Sequence, residues 1–510
     1  MDELTPRLRA VCDLQVAEVR EYSGRHEYDG QVQDLSPDGV RAGLARLAAA
    51  IAADEPLADS HDEAHLAAFI RRTEVEYGEL ELHRSNPIYH LGNLDLAGYD
   101  RDYAPQAERD AAKRAHLAAW PSAIDSATEA LDQVSAPVAS SLIDAIRGLA
   151  AGLPPGADEN VSRAALAAHE RLVNRLVEAA ETGNPDAALG SAGLSSLMSG
   201  AESMQVDLGQ LAERADSERD RLMARLTESC ASIDAAKPPL QVARDLVRQH
   251  PDADGVIDAA RRWTKLAIDF TRDRDLVPYQ DGECLVGLAP ESRRWAMAMM
   301  SPATAGEPEG PSWYHITPPE PSWPADAAEE WLQVFSDTTL PGITAHEVAP
   351  GHFSHGRAIR RAPTDVRRIL HSAAFVEGWA HYAEELCVEE GFCADDPRFA
   401  IGVWLEALIR VTRLACAIGV HTAGMTVDEA TRRFESDTHI SGSAAGAEAR
   451  RATFDPTYGR YTWGKLVIMD LRERAKREWG AGFTLKRFHS ALLDLGSPPL
   501  GVIDTAVRRG

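Results

Sequence analysis

The sequence predicts a mainly helical protein with one small β-sheet set beside a helix, and three observations lead there. Apolar residues recur every three or four positions through most of the 510 residues, as in VSRAALAAHERLVNRLVEAAE (161–181), which is the period of a helix with one buried face. A single stretch, 276–320, instead carries short runs of alternating apolar and polar residues between prolines and glycines, the pattern of strands. Helical periodicity then returns and lasts to the end of the chain.

Residues 1–275 form the N-terminal helical region. Alanine, leucine, arginine and glutamate dominate it, all good helix formers. Its breaks fall at Ser36-Pro37-Asp38-Gly39, at 152–156, at Gly183-Asn184-Pro185 and at Lys237-Pro238-Pro239, where proline and glycine interrupt the helical hydrogen bonding. No fixed-period repeat is present, so a long antiparallel helical array is expected. In the small-sheet segment 276–320, LVPYQDGECLVGLAP, RRWAMAMMSP and PSWYHITPP predict two or three strands, with TAGEPEGPS (304–312) an exposed loop. Helices are expected again over 339–391 and 398–510, in segments near 364–391, 398–421, 426–437, 458–479 and 484–494. Trp263, Trp295, Trp379, Trp404 and Trp463 read as core residues.

Composition narrows the function. A hydrophobic content of 44% with 26% charged residues belongs to a globular protein with a large core. The formal charge is −26, from 79 acidic and 53 basic residues. That balance argues against nucleic-acid and anionic-membrane partners, which need a basic field. The first thirty residues lack a basic start followed by an apolar run and read as an amphipathic helix. No run of about 18 uncharged apolar residues occurs. Six scattered cysteines without a C-x-x-C pair read as buried thiols. These features together give a cytoplasmic expectation.

The chemistry is concentrated in His346-Glu347-Val348-Ala349-Pro350-Gly351-His352. In the H-E-x-x-H motif two histidines four apart face one metal from a single helix, and the glutamate between them takes a proton from water. Here the histidines are six apart, about 240° out of phase on a regular helix, so they share a metal only if the helix deforms. Pro350 removes an amide that would bond the carbonyl of residue 346, and Gly351 tolerates backbone angles that other residues avoid. A break at 348–351 is therefore expected, and His352 as a ligand depends on it. Twenty-five residues further on, FVEGWAHYAEE places Glu377 early on a second helix, with His381 and Glu384 or Glu385 along the same side. Taken singly, each of these residues has a plain structural reading: a surface pair, a core histidine, a helix-start acid. Together they predict a metal held by His346, His352 and Glu377, with Glu347 as general base. Zinc suits two histidines and a carboxylate, although manganese, cobalt and iron accept the same donors.

HEVAPGHFSH, FVEGWAHYAEEL, DPTYGRYTWGKLVIMDLRERA and FHSALLDLGSPPLGVID resemble, in this order, the bacterial family catalogued as domain of unknown function 885, which is regarded as zinc-peptidase-like. More distantly the motifs resemble thimet oligopeptidase and carboxypeptidase Taq, which carry H-E-x-G-H-x-x-H and take a third ligand from a glutamate on a later helix. The resemblance implies a large multi-helical, zincin-like metallopeptidase fold and supports Glu377. The chain departs from that motif by two residues inserted between Glu347 and Gly351. The segment 455–464 is similar to the tyrosine region that completes those clefts, and its spacing to the downstream glycine favours Tyr461 over Tyr458 as the hydrogen-bond donor to an oxyanion. His355, His381 and His421 are candidates for supporting the ligands or the substrate, and Arg451 and Arg460 for meeting a substrate carboxylate.

The sequence thus predicts a zinc-dependent hydrolase of amide or peptide bonds acting on peptides or small amides. Two alternatives stand beside it: a zinc hydrolase or lyase for a non-peptide metabolite, and a metal-free binding or scaffold homologue. Fold alone does not separate these readings.

Overall fold

A computed structural model describes residues 4–153, 158–290, 293–294 and 296–510. Residues 154–156 of one expected turn, and Trp295, lie outside them. The rest is overwhelmingly helical with a three-stranded sheet, as the periodicity predicts.

Up to Asp273 helix follows helix. Many begin where the sequence supplies a cap: Ser36 before Pro37–Ala53, Asp158 before Glu159–Thr182 and Asp207 before Leu208–Asp234 each accept a hydrogen bond from the first turn. Glu159–Thr182 packs on both Gln106–Ala130 and Ala136–Gly148 around the fully buried Trp120, Ile124, Leu172 and Leu176. The amphipathic start of the chain is two short helices, Pro6–Asp13 and Val16–Ser23, rather than one.

The sheet consists of β1 (Cys284–Leu288), β2 (Ala298–Ser301) and β3 (Ser312–Ile316), in the order β1-β3-β2. β1 runs parallel to β3, from Cys284↔Ser312 to Leu288↔Ile316, and β2 runs antiparallel to it, from Ala298↔Ile316 to Ser301↔Trp313. Val286, Tyr314 and Ile316 point inward onto Leu340, Ile343, Val348, Ala349 and Phe353. The sheet therefore lies against the H-E segment. The 304–312 loop is less exposed than expected. Glu307 is buried and accepts from Arg101 Nη2 at 2.6 Å, with His26 Nε2 at 3.2 Å, and Thr304 is buried beside it.

Beyond residue 324 the expected helices form, among them Ala373–Glu389, Pro397–Thr422, Val427–Asp437, Arg460–Trp479 and Leu485–Leu493. One that was not expected, Gly442–Phe454, is built from GSAAGAEARRATF. Its apolar stripe is Ala445, Ala449 and Ala452, too weak in hydrophobicity to register as a period. Pro397–Thr422 is apolar on every side and almost wholly buried, as the central helix of a large core must be. Leu208–Asp234 lies along it, so one core takes Leu222 and Leu226 from the first region and Leu405, Leu408 and Val411 from the second. The compositional division at 275/276 is thus not a division of the core. Trp379, Trp404 and Trp463 are buried there and Trp263 packs against it. Cys12, Cys230, Cys387 and Cys416 are buried, Cys284 and Cys393 are half-buried, and all six are free thiols. Among the described residues no helix is long and apolar enough to cross a membrane.

Candidate metal centre

The helix carrying His346 and Glu347, Leu340–Glu347, stops at Glu347, and a second, His352–Arg361, starts at His352. Between them Val348 leaves helical angles (φ −105°, ψ −91°), the Ala349–Pro350 peptide is cis, and Gly351 takes φ −72°, ψ −132°. The Gly351 amide donates to the Ala345 carbonyl at 3.1 Å, and the Trp379 indole donates to the Pro350 carbonyl at 3.0 Å. A Cβ on Gly351 would fall 1.8 Å from the His346 carbonyl oxygen, so only glycine allows this fold-back. The break turns the second imidazole to the first, and the two rings stand edge to face with centroids 4.7 Å apart.

Glu377 reaches them from Ala373–Glu389. The Ser372 hydroxyl caps that helix by accepting from the Phe375 amide, and it donates in turn to the buried Glu202 carboxylate. Glu377 Oε2 lies 3.4 Å from His346 Nε2 and 3.5 Å from His352 Nε2, yet among the described residues it has no hydrogen bond of ordinary geometry. One donor atom from each of His346, His352 and Glu377 falls within 4.8 Å of the others. Bonds of about 2.0–2.1 Å to a tetrahedral zinc would set neighbouring ligand atoms about 3.3 Å apart. The two nitrogen–oxygen spacings and the orphaned buried oxygen therefore fit a metal better than they fit ion pairing.

Behind the three donors stands a shell of charge. His346 Nδ1 is 2.6 Å from Glu384 Oε1, and Glu384 Oε2 accepts from Arg410 Nη1 at 2.9 Å. Glu384 thereby fixes the His346 tautomer and leaves Nε2 facing Glu377. Burial works against a charged His346, but Glu377 and Glu384 outweigh it and raise the imidazole to about 9. Burial likewise opposes charge on Glu377, and the two imidazoles hold that carboxyl well below its usual range. Glu347 is 8% exposed and its Oε2 has no partner among the described residues. It is thus a carboxylate shielded from water with a free lone pair.

Of the other sequence candidates, the structure brings only Tyr461 and His381 to this shell. The Tyr461 ring lies 6.3 Å from that of His346, flanked by the guanidiniums of Arg410 and Arg413 at 5.8 and 5.4 Å. It arrives there because Arg460–Trp479 crosses Ala373–Glu389 at Gly378 and Gly464, where a Cβ on Gly464 would meet the Ala374 carbonyl oxygen at 1.9 Å. His381 is fully buried, 3.6 Å from Glu384, and burial lowers it to about 3. Tyr458 is instead a core residue with its hydroxyl on the Glu448 carbonyl at 3.2 Å. His355 bonds the Gly496 carbonyl and the Ser497 hydroxyl, and His421 joins the Ala452 carbonyl to the Leu189 amide. Arg451 and Arg460 both grip Asp455. All five serve as internal ties. Glu384 is one of the two glutamates the sequence places along the side of Glu377, whereas Arg410 and Arg413 escape the sequence reading. The available signal is two arginines three apart, with Glu406 one turn before them, in a helix that is otherwise mostly apolar.

The model for the bacterial proteins of unknown function (DUF885) matches residues 18–507. Two solved structures are similar over nearly their whole length. One is a "putative lipoprotein of unknown function" from Shewanella oneidensis, with a TM-score of 0.77, 19% identity, and 98% of this chain and 97% of that one covered. The other is a "putative lipoprotein" from Colwellia psychrerythraea, with a TM-score of 0.79, 15% identity, and 99% and 97% covered. At such identities the likeness is one of fold. No curated protein matches significantly. The chain belongs to the DUF885 family.

Proposed function

We propose that this DUF885 member is a zinc-dependent hydrolase of amide or peptide bonds, with His346, His352 and Glu377 as metal ligands and a metallopeptidase-like fold. The observation that carries the reading is the convergence of two imidazole nitrogens on a buried carboxylate oxygen that, among the described residues, has no hydrogen bond of ordinary geometry. A bound zinc ion would supply Lewis acidity and bring water's pKa toward neutrality. Glu347, with its partnerless oxygen, accepts the proton of the attacking water and passes it to the leaving amine nitrogen. Tyr461 donates its phenolic hydrogen bond to the carbonyl oxygen as charge builds there. Glu384 keeps His346 in the tautomer whose Nε2 lone pair is available.

Elemental analysis of the purified protein, with His346→Ala and His352→Ala as controls, tests the metal. About one equivalent of zinc, lost in both variants, is expected; no stoichiometric metal would leave the scaffold alternative standing. Turnover of a panel of peptides and amidated metabolites, abolished by Glu347→Gln, tests the chemistry. A cytoplasmic place belongs to the same proposal. Fractionation of native cells checks it, and it matters because both solved relatives carry the name lipoprotein.

A further inference from the structure

The helix Pro397–Thr422 lies against each of the helices that carry His346, Glu377 and Tyr461. From residue 401 to residue 421 every side chain but two is buried, the exceptions being Glu406 and Arg413. With Arg410 between them at spacings of four and three, they form a single stripe along the helix. The stripe faces the metal centre. Arg410 Nη1 donates to Glu384 Oε2 at 2.9 Å, directly behind His346, and the guanidiniums of Arg410 and Arg413 flank the Tyr461 ring. His352, Glu377 and Tyr461 are themselves half-buried, so Glu406 opens on the same cleft as the metal ligands.

The charges around this cleft are not matched alike. Glu448 holds Arg413 bidentately at 2.7 and 2.6 Å. Arg410 is committed to Glu384, and Arg451 and Arg460 are committed to Asp455. Glu406 is left with one long contact, 3.6 Å from its Oε2 to Arg410 Nη2. Among the described residues its carboxylate accepts no hydrogen bond. Its side chain is only 18% exposed, so water does not make up for the missing donor as it does for an acid on an open surface. Burial pushes the carboxyl up, and Arg410 restrains the rise only in part. An ammonium group supplies what is lacking, since it brings both an opposite charge and up to three hydrogen-bond donors.

On the footing of the hydrolase reading, we propose that Glu406 binds a cationic group of the substrate, an ammonium carried either by the peptide's own amino terminus or by a lysine beside the scissile bond. The substrate class is then peptides with a positive charge next to the cleaved amide, and neutral amides are discriminated against. An amino terminus held there limits cleavage to the start of a peptide, whereas a lysine held there allows cleavage within a chain. Glu406 selects the substrate and takes no part in moving the proton, which falls to Glu347.

The test uses full-length Glu347→Gln protein, which holds a peptide without consuming it, and reads affinity by titration calorimetry. The probes are tetra-alanine amide with a free amino terminus, its acetylated form, and acetylated forms with one lysine at the second or third position. The free amine or a lysine peptide is expected to bind at least about tenfold more tightly than the neutral acetylated peptide, and which of them does so identifies the source of the ammonium. Adding Glu406→Gln, which keeps the shape and removes the charge, should bring that ratio to within about twofold. Glu406→Asp should restore part of it. Melting temperatures report that each variant is folded. No binding at millimolar peptide, equal binding of neutral and cationic peptides, or a preference that survives Glu406→Gln would overturn the proposal. Zinc content is measured on the same samples. A preference that depends on Glu406 in a protein without zinc would therefore refute the hydrolase reading alone, and a zinc protein without the preference would refute only the role of Glu406.

Discussion

Two tyrosines three positions apart separate function from scaffold at the scale of single residues. Tyr461 lies over His346, whereas Tyr458 is buried on a backbone carbonyl. Tyr461→Phe is expected to lower kcat by about 10²–10³-fold with zinc content and melting temperature unchanged. Tyr458→Phe should cost about 1 kcal/mol of stability in denaturant unfolding and leave turnover nearly intact. Glu384→Gln weakens the acceptor for His346 Nδ1, so zinc affinity measured against a competing chelator should fall about 10- to 100-fold. The meeting of His346, His352 and Glu377 was legible in the sequence from their spacing and from the break that Pro350 and Gly351 impose. The shell behind them was legible only in part: Glu384 stands on the side of Glu377, but its partner Arg410 is 26 residues away and meets it only through the packing of two helices.

Among elements, the break at 348–351 decides the centre. Gly351→Ala would drive a methyl group into the His346 carbonyl. The fold-back must then open, and loss of bound zinc together with about 1–3 kcal/mol of stability is expected, read by metal analysis and denaturant unfolding. Pro350 and Gly351 announced this break in advance, since each forbids a continuous helix for its own local reason. The helix Gly442–Phe454 gave no such notice. Its buried stripe is alanine, whose burial matters only once Cys416 and Phe434 lie opposite. The sheet was legible by its punctuation, but not its order, because which of two edges a middle strand prefers is settled by long-range contact.

For the whole molecule, acid should be more damaging than the overall charge of −26 suggests. Burial pulls His61, His90, His371, His439 and His489 down to about 4 and His116 to about 3. Each folded value lies below the unfolded one of about 6.5. The unfolded chain therefore takes up more protons as pH falls, and stability is lost between about 6.5 and 4. Glu202 acts the other way, since burial raises it to about 7, but one carboxyl does not offset six imidazoles. His26, raised to about 9 despite burial because Asp29 and Glu307 outweigh it, acts above pH 6.5. Thermal unfolding is expected to begin about 5–10 °C lower at pH 5 than at pH 7.5, measured by calorimetry.

The core that runs through both halves also sets how the polypeptide can be cut. Expressed alone, 276–510 would turn the apolar flank of Pro397–Thr422 that Leu208–Asp234 covers out to solvent, an open invitation to aggregate. The C-terminal half is expected to fail as a soluble fragment, and the two halves, made separately in one cell, should be recovered only as a complex with each other.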